Sequence, residues 1–155
     1  MFRYCGTISV FPEFIDTFQR VLILLKVFVY GTLKPRERNY PLYCTQAIEI
    51  IEAIAYGKLY DLPMGYPAAV FPESALVRGY ILTFTNAAVL QTLDELEDYY
   101  PHQPISQNLY QRHQIEVYNP NSNSLGTVWT YSMSQQQINA YGGVLISNGW
   151  WTGKK

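Results

Sequence analysis

The sequence predicts an α+β fold, most simply a small, closed or nearly closed β-barrel. Three observations predict it. Short strand-like runs dominate the chain, one amphipathic helix interrupts them, and the order strand, strand, helix, hairpin does not alternate as a doubly wound sheet requires. At 155 residues the chain suits one domain with a sizeable core.

Val27–Tyr30 reads as a buried strand that ends in Gly31-Thr32-Leu33 and the polar turn Lys34–Arg38. Residues 39–46 suit a short helical turn. Ile48–Asp61 reads as strand, with Gly57 marking a bulge or bend. Leu62–Pro67 is a turn-rich loop and Ala68–Phe71 a short strand. From Leu76 to Phe84, alternation puts Leu76, Arg78, Tyr80, Leu82 and Phe84 on one face. A helix is expected over Asn86–Asp98, ending before Pro101. After a loop to Asn108, Leu109–Tyr118 reads as a bulged strand, since Tyr110 and Arg112 have opposite parity to Ile115 and Val117. Asn119–Ser124 turns the chain into the return strand Leu125–Met133, with Thr127, Trp129 and Tyr131 on one face. Gly142–Trp151 is expected to be irregular, packed by its two tryptophans.

Residues 1–26 stand apart. The run Val21–Leu25 looks like a signal core but is interrupted by Lys26, no small-residue cleavage site follows, and it is too short to span a bilayer. It reads either as a short amphipathic helix or, preferably, as an extension preceding a domain at 27–155.

Composition narrows the function. A charged fraction of 15% with net charge −1 leaves no basic stripe to draw nucleic acid or acidic lipid. The 14 tyrosines therefore do not argue for nucleic acid, and neither nucleic acid nor membrane is expected as a partner. Cys5 and Cys44 belong to no CxxC pair, and His102 and His113 have no ligand-like spacing, so no metal is expected. A reducing cytoplasm is the simplest compartment. No GxGxxG or P-loop pattern supports nucleotide binding.

The helix carries the first candidate site. Val89, Leu90, Leu93 and Leu96 form its apolar stripe. Asp94, Glu95 and Asp98 fall outside the stripe, as solvated acids do. Glu97 falls within it, seven residues after Leu90 and four after Leu93. A carboxylate aimed at a core costs several kcal/mol unless it is paired, hydrogen-bonded or protonated. Its pKa should rise by desolvation, which suits a general acid/base near neutral pH. The residues alone leave other readings open: a helix end that frays to solvent, or a buried acid held by an arginine.

The second candidate is Tyr30-Gly31-Thr32-Leu33, where a glycine at a strand end lets backbone N–H groups face an anion. An ordinary strand-ending turn would use the same residues.

Taken together, Tyr30-Gly-Thr-Leu-Lys34, Leu59-Tyr-Asp-Leu62, Tyr66-Pro-Ala68, Val77-Arg-Gly-Tyr80, Leu93-Asp-x-x-Glu97 and Tyr110-x-Arg112-x-x-Ile115-x-Val117 occur in order. This array resembles the gamma-glutamyl cyclotransferase-like family, which includes gamma-glutamylamine cyclotransferases and avirulence-induced-gene-like proteins. The resemblance covers roughly residues 27–151, and its specific marks are YGTL after an apolar strand and LDxxE at a helix end. It implies a small mixed β-barrel flanked by helices, with a cavity at one end. It implies that Gly31, Thr32 and Leu33 bind the α-carboxylate end of a γ-glutamyl group through backbone amides, with Tyr30, Tyr110 and Tyr131 lining the site. It makes Glu97 the catalytic acid/base of a cyclisation that yields 5-oxoproline and releases an amine, without metal or organic cofactor. The alternative is a non-catalytic barrel of the same fold that binds a small metabolite or a protein partner. Three positions depart from the family: Arg36 and Asp98 stand where glycine is common, and Trp150 where an acid is common. The loop after YGTL bears on substrate preference, so Arg36 matters there.

Overall fold

The computed structural model describes residues 23–153. The expected extension therefore lies mostly outside the described residues, as does Cys5. Five strands form a closed barrel: β1 (Leu25–Val29), β2 (Glu49–Tyr56), β5 (Leu76–Phe84), β6 (Gln111–Tyr118) and β7 (Ser124–Ser132), in the order β1-β5-β2-β6-β7. Their pairings are antiparallel except the closing contact of β1 with β7, which is parallel at Val27–Trp129 and makes the barrel mixed. β1 begins at Leu25, two residues before the boundary expected at Val27, and Leu25 pairs with Phe84. A second sheet is built from β3 (Lys58–Asp61), β4 (Pro67–Val70) and a two-residue β8 (Val144–Leu145), in the order β4-β3-β8.

Gly57 separates β2 from β3, so the long strand expected over 48–61 is two strands in two sheets. A Cβ at Gly57 would meet the Phe71 ring at 2.5 Å, so the corner needs glycine. The barrel interior is filled by Phe28, Ala53, Ala55, Val77, Ile81, Val117 and Val128. The face of β5 carrying Leu76, Arg78 and Tyr80 points away from this interior, and the opposite parity, Val77, Gly79 and Ile81, is buried. The outward residues Val27, Val29, Leu82 and Phe84 are buried as well, beneath Val89 and Leu93 of the helix α2 (Val89–Leu96). Both faces of β1 are thus covered from Val27 to Val29, as the apolar run after Lys26 requires. The bulge expected between Arg112 and Ile115 is absent: β6 runs in unbroken register on β7 from Gln111 to Val117, and the hairpin's register shift lies beyond it, between Val117 and Tyr118.

Two more helices flank the barrel. α1 (Tyr40–Tyr43) is the short turn expected over 39–46, and α3 (Gln135–Ala140) lies where periodicity marks no element. Its signal is the capping box Ser134-x-x-Gln137, reciprocal in the structure. In the tail, Trp151 is buried and donates its indole N–H to Asp61 at 2.8 Å, whereas Trp150 is only half-buried. Among the described residues no helix is long and apolar enough to cross a membrane.

Two departures from the family have a local reason. Arg36 has φ +72° and Asp98 φ +52°, the left-handed region in which glycine is unstrained. An exposed Arg there carries about 1 kcal/mol of steric cost, while Asp tolerates it better. Arg36→Gly is expected to raise stability by up to about 1 kcal/mol, read as a denaturation midpoint. An unchanged or lower midpoint would contradict this account of the turn.

Candidate active site

A cavity of about 240 Å³ opens where β1 ends, and all seven site residues expected from the sequence line it: Tyr30, Gly31, Thr32, Leu33, Glu97, Tyr110 and Tyr131. Arg38, Asn39, Tyr66, Pro67, Leu96 and Leu109 line it too.

Glu97 reaches the cavity from the end of α2. Its N–H still donates to Leu93 O at 2.9 Å. Asp98 then turns left-handed, the Asp98 N–H donates to Glu95 O and the Tyr99 N–H to Asp94 O at 2.9 Å. This is a Schellman closure, whose C′ position favours glycine. It explains why glycine suits position 98, and it holds Glu97 against fraying. The carboxylate has no hydrogen-bond or ion-pair partner among the described residues. Burial alone pushes its pKa up to about 7.

Asp94 is not the solvated acid that the helical face implies. It is buried, accepting from Arg112 Nη1 at 2.6 Å and from the Tyr131 hydroxyl at 2.7 Å. Burial raises its pKa, opposed by the Tyr131 hydrogen bond and by Arg112. Arg112, an arginine within reach of this helix, is therefore engaged by Asp94 and not by Glu97, and Arg78 lies over the Trp150 ring instead. Glu95 is exposed, its side chain meeting only Gln91 at 3.5 Å. Glu95→Gln should be silent in activity and stability within about 0.5 kcal/mol; a loss like that from changing Glu97 would undo the assignment of faces.

The tyrosines present rings, not free protons. Tyr30 donates to Tyr131 O at 2.7 Å, Tyr110 to Pro67 O at 2.6 Å, and Tyr131 to Asp94. Burial raises the pKa of all three, so they stay neutral. The free donors are in the loop. No acceptor among the described residues takes the backbone N–H of Gly31, Thr32 or Leu33. Gly31 does not have positive φ; it is required because a Cβ would sit 2.5 Å from Pro67 Cγ.

Lys34 anchors this loop from behind. It is buried, donates from Nζ to Trp151 O at 2.5 Å, and lies 4.0 Å from Glu37. Its Nζ is 3.5 Å from the centroid of the Trp150 ring, so a π face stands where an acid is common in the family. Burial brings the Lys34 pKa down to about 8, with Glu37 opposing the shift and Arg78 adding to it.

A closed mixed barrel with helices outside, and at one end a cavity lined by both an unpaired carboxylate and unused amides, is the framework of a small enzyme. The profile of the family described as gamma-glutamyl cyclotransferase, AIG2-like, matches residues 27–153, and the chain belongs to that family, a family of cyclotransferase enzymes. It is 31% identical over 110 residues to the gamma-L-glutamyl-butirosin B gamma-glutamyl cyclotransferase of Niallia circulans, covering 71% of this chain and 67% of that protein. Among solved structures, an aig2-like protein from Mus musculus shares the fold with a TM-score of 0.61 at 18% identity, over 83% of this chain and 88% of that one. YkqA of Bacillus subtilis does so with a TM-score of 0.59 at 21% identity, over 83% of this chain but only 40% of the longer YkqA chain.

Proposed function

We propose that this protein is a γ-glutamyl cyclotransferase that converts a γ-glutamyl amine or small γ-glutamyl peptide to 5-oxoproline. The observation that carries the reading is the pairing, in one cavity, of the unpartnered Glu97 carboxylate with the unused amides of Gly31, Thr32 and Leu33. In this reading the amides hold the substrate's α-carboxylate and the rings of Tyr30, Tyr110 and Tyr131 wall in the folded chain. Glu97 removes a proton from the α-ammonium, the freed amine attacks the γ-carbonyl carbon, and a C–N bond forms. As the tetrahedral centre collapses, the original amide C–N bond breaks and Glu97 returns its proton to the leaving nitrogen; the carboxylate so regained takes the surplus proton of the new ring nitrogen and passes it to the released amine, which departs as an ammonium. The attack is intramolecular, so orientation alone can contribute ~7–11 kcal/mol. A carboxylate that titrates near neutrality suits both halves of the proton transfer. The reaction requires no metal or cofactor in this scheme, and the buried free thiol of Cys44 suits a reducing, cytoplasmic setting.

The test is 5-oxoproline release from a panel of γ-glutamyl amines and dipeptides. Release that depends on Glu97 supports the reading. A panel that binds without release would favour the alternative, a barrel that only binds a metabolite.

A further inference from the structure

Arg38 is the only cation among the residues lining the cavity, and Glu97 the only anion. Arg38 makes no ion pair and its side chain is in no hydrogen bond among the described residues. Its place is built by the fold. Arg36 turns the loop left-handed, and the chain then folds back onto Thr32: the Asn39 N–H donates to Thr32 O at 3.0 Å, and Asn39 Nδ2 to Thr32 Oγ1 at 3.0 Å. That return carries Arg38 to the cavity's exposed mouth, against the Gly65–Tyr66 turn. Glu97 sits at the half-buried end of α2, which the scissile amide must approach. A leaving group on that amide then extends toward the mouth. There a planar guanidinium with open donors matches a carboxylate and repels an ammonium.

We propose that Arg38 selects the leaving group, pairing with a carboxylate on it, so that the preferred substrates are γ-glutamyl amino acids and not γ-glutamyl amines. This rests on the cyclotransferase reading for the placement of the γ-glutamyl group.

A matched pair of ligands tests it: γ-glutamylglycine and γ-glutamylglycinamide, which differ in one carboxylate. Binding is measured by calorimetry on Glu97→Gln protein, with and without Arg38→Gln, so that no turnover is needed. Turnover of both is measured on protein with Glu97 intact. The expected result is roughly tenfold tighter binding of the acid than of the amide, a ratio that falls to about one in Arg38→Gln and shrinks with added salt. Equal affinity for the two ligands overturns the inference, and so does a ratio that survives Arg38→Gln. Equal weakening of both ligands by Arg38→Gln also overturns it, because Arg38 would then hold the α-carboxylate they share. Absence of binding by either ligand overturns it together with the γ-glutamyl reading. Charge-selective binding lost in Arg38→Gln, without 5-oxoproline release from protein with Glu97 intact, would keep Arg38 as a carboxylate-binding residue but overturn the cyclotransferase reading and, with it, the leaving-group role.

Discussion

Glu97→Gln is expected to lower turnover at least 10²–10⁴-fold, the usual contribution of a positioned acid/base, and to leave a folded protein that is more stable at neutral pH. The amide keeps the shape of the side chain but cannot take the α-ammonium proton. The stability effect has a definite sign. Folding raises the Glu97 pKa from 4.5 to about 7, so the folded state binds the proton more tightly. Between those values the folded protein holds more protons than the unfolded chain, and stability falls as pH rises through this window. Above about pH 7 the cost is complete, about 1–3 kcal/mol once the partly open cavity is allowed for. The Gln variant escapes it. Its melting temperature should match that of unsubstituted protein near pH 4 and exceed it at pH 8. A destabilised variant at pH 8 would mean that Glu97 holds the fold together. The activity of unsubstituted protein should rise toward neutrality as Glu97 ionises; a profile flat from pH 5 to 8 would remove Glu97 as the base.

Asp94→Asn should cost about 2–4 kcal/mol, at the lower side of what breaking a buried ion pair costs because both side chains keep some solvent contact. Asparagine can still accept from Tyr131, but it leaves the Arg112 guanidinium without its counter-charge. Arg112 lies between Trp129, at 4.8 Å, and Tyr99, at 5.3 Å, and its Nε is buried without a partner. Those π faces do not replace a carboxylate. The melting temperature should fall by roughly 5–15 °C. Adding Arg112→Met should recover part of that loss, since an uncompensated charge and not the missing bond is the main cost. A fall below about 2 °C would restore Asp94 to the solvated role that its place on the helix suggests.

These two acids show where the sequence is legible. Glu97 can be found from periodicity because its distance from Leu90 and Leu93 is counted along one helix, and an acid in an apolar stripe is anomalous wherever the helix packs. Asp94 sits on the flank of the same stripe. Whether a flank is wet depends on what stands opposite, and here that is Arg112 and Tyr131, 18 and 37 residues away on two strands of the barrel. The YGTL loop is legible as a strand end and as a family mark. The role of its glycine is not: space against Pro67, not left-handed backbone, requires it, and Pro67 comes from the second sheet. The β3 strand of that sheet is hidden within one apolar run, because Gly57 turns the chain by a packing contact with Phe71 that spacing does not show.

Period and composition along the chain suffice for the elements and the chemistry they can carry: an α+β chain of short strands, a helix ending in a misplaced carboxylate, and a glycine loop after the first strand. These depend on period and local backbone preference, which neighbours in the chain decide. Folding in three dimensions sets the rest: the barrel closes through a parallel contact, Arg112 belongs to Asp94 and leaves Glu97 unpaired, and Arg38 stands at the cavity mouth. Desolvation and pairing depend on distances between residues far apart in the chain, and those distances exist only once the barrel has closed.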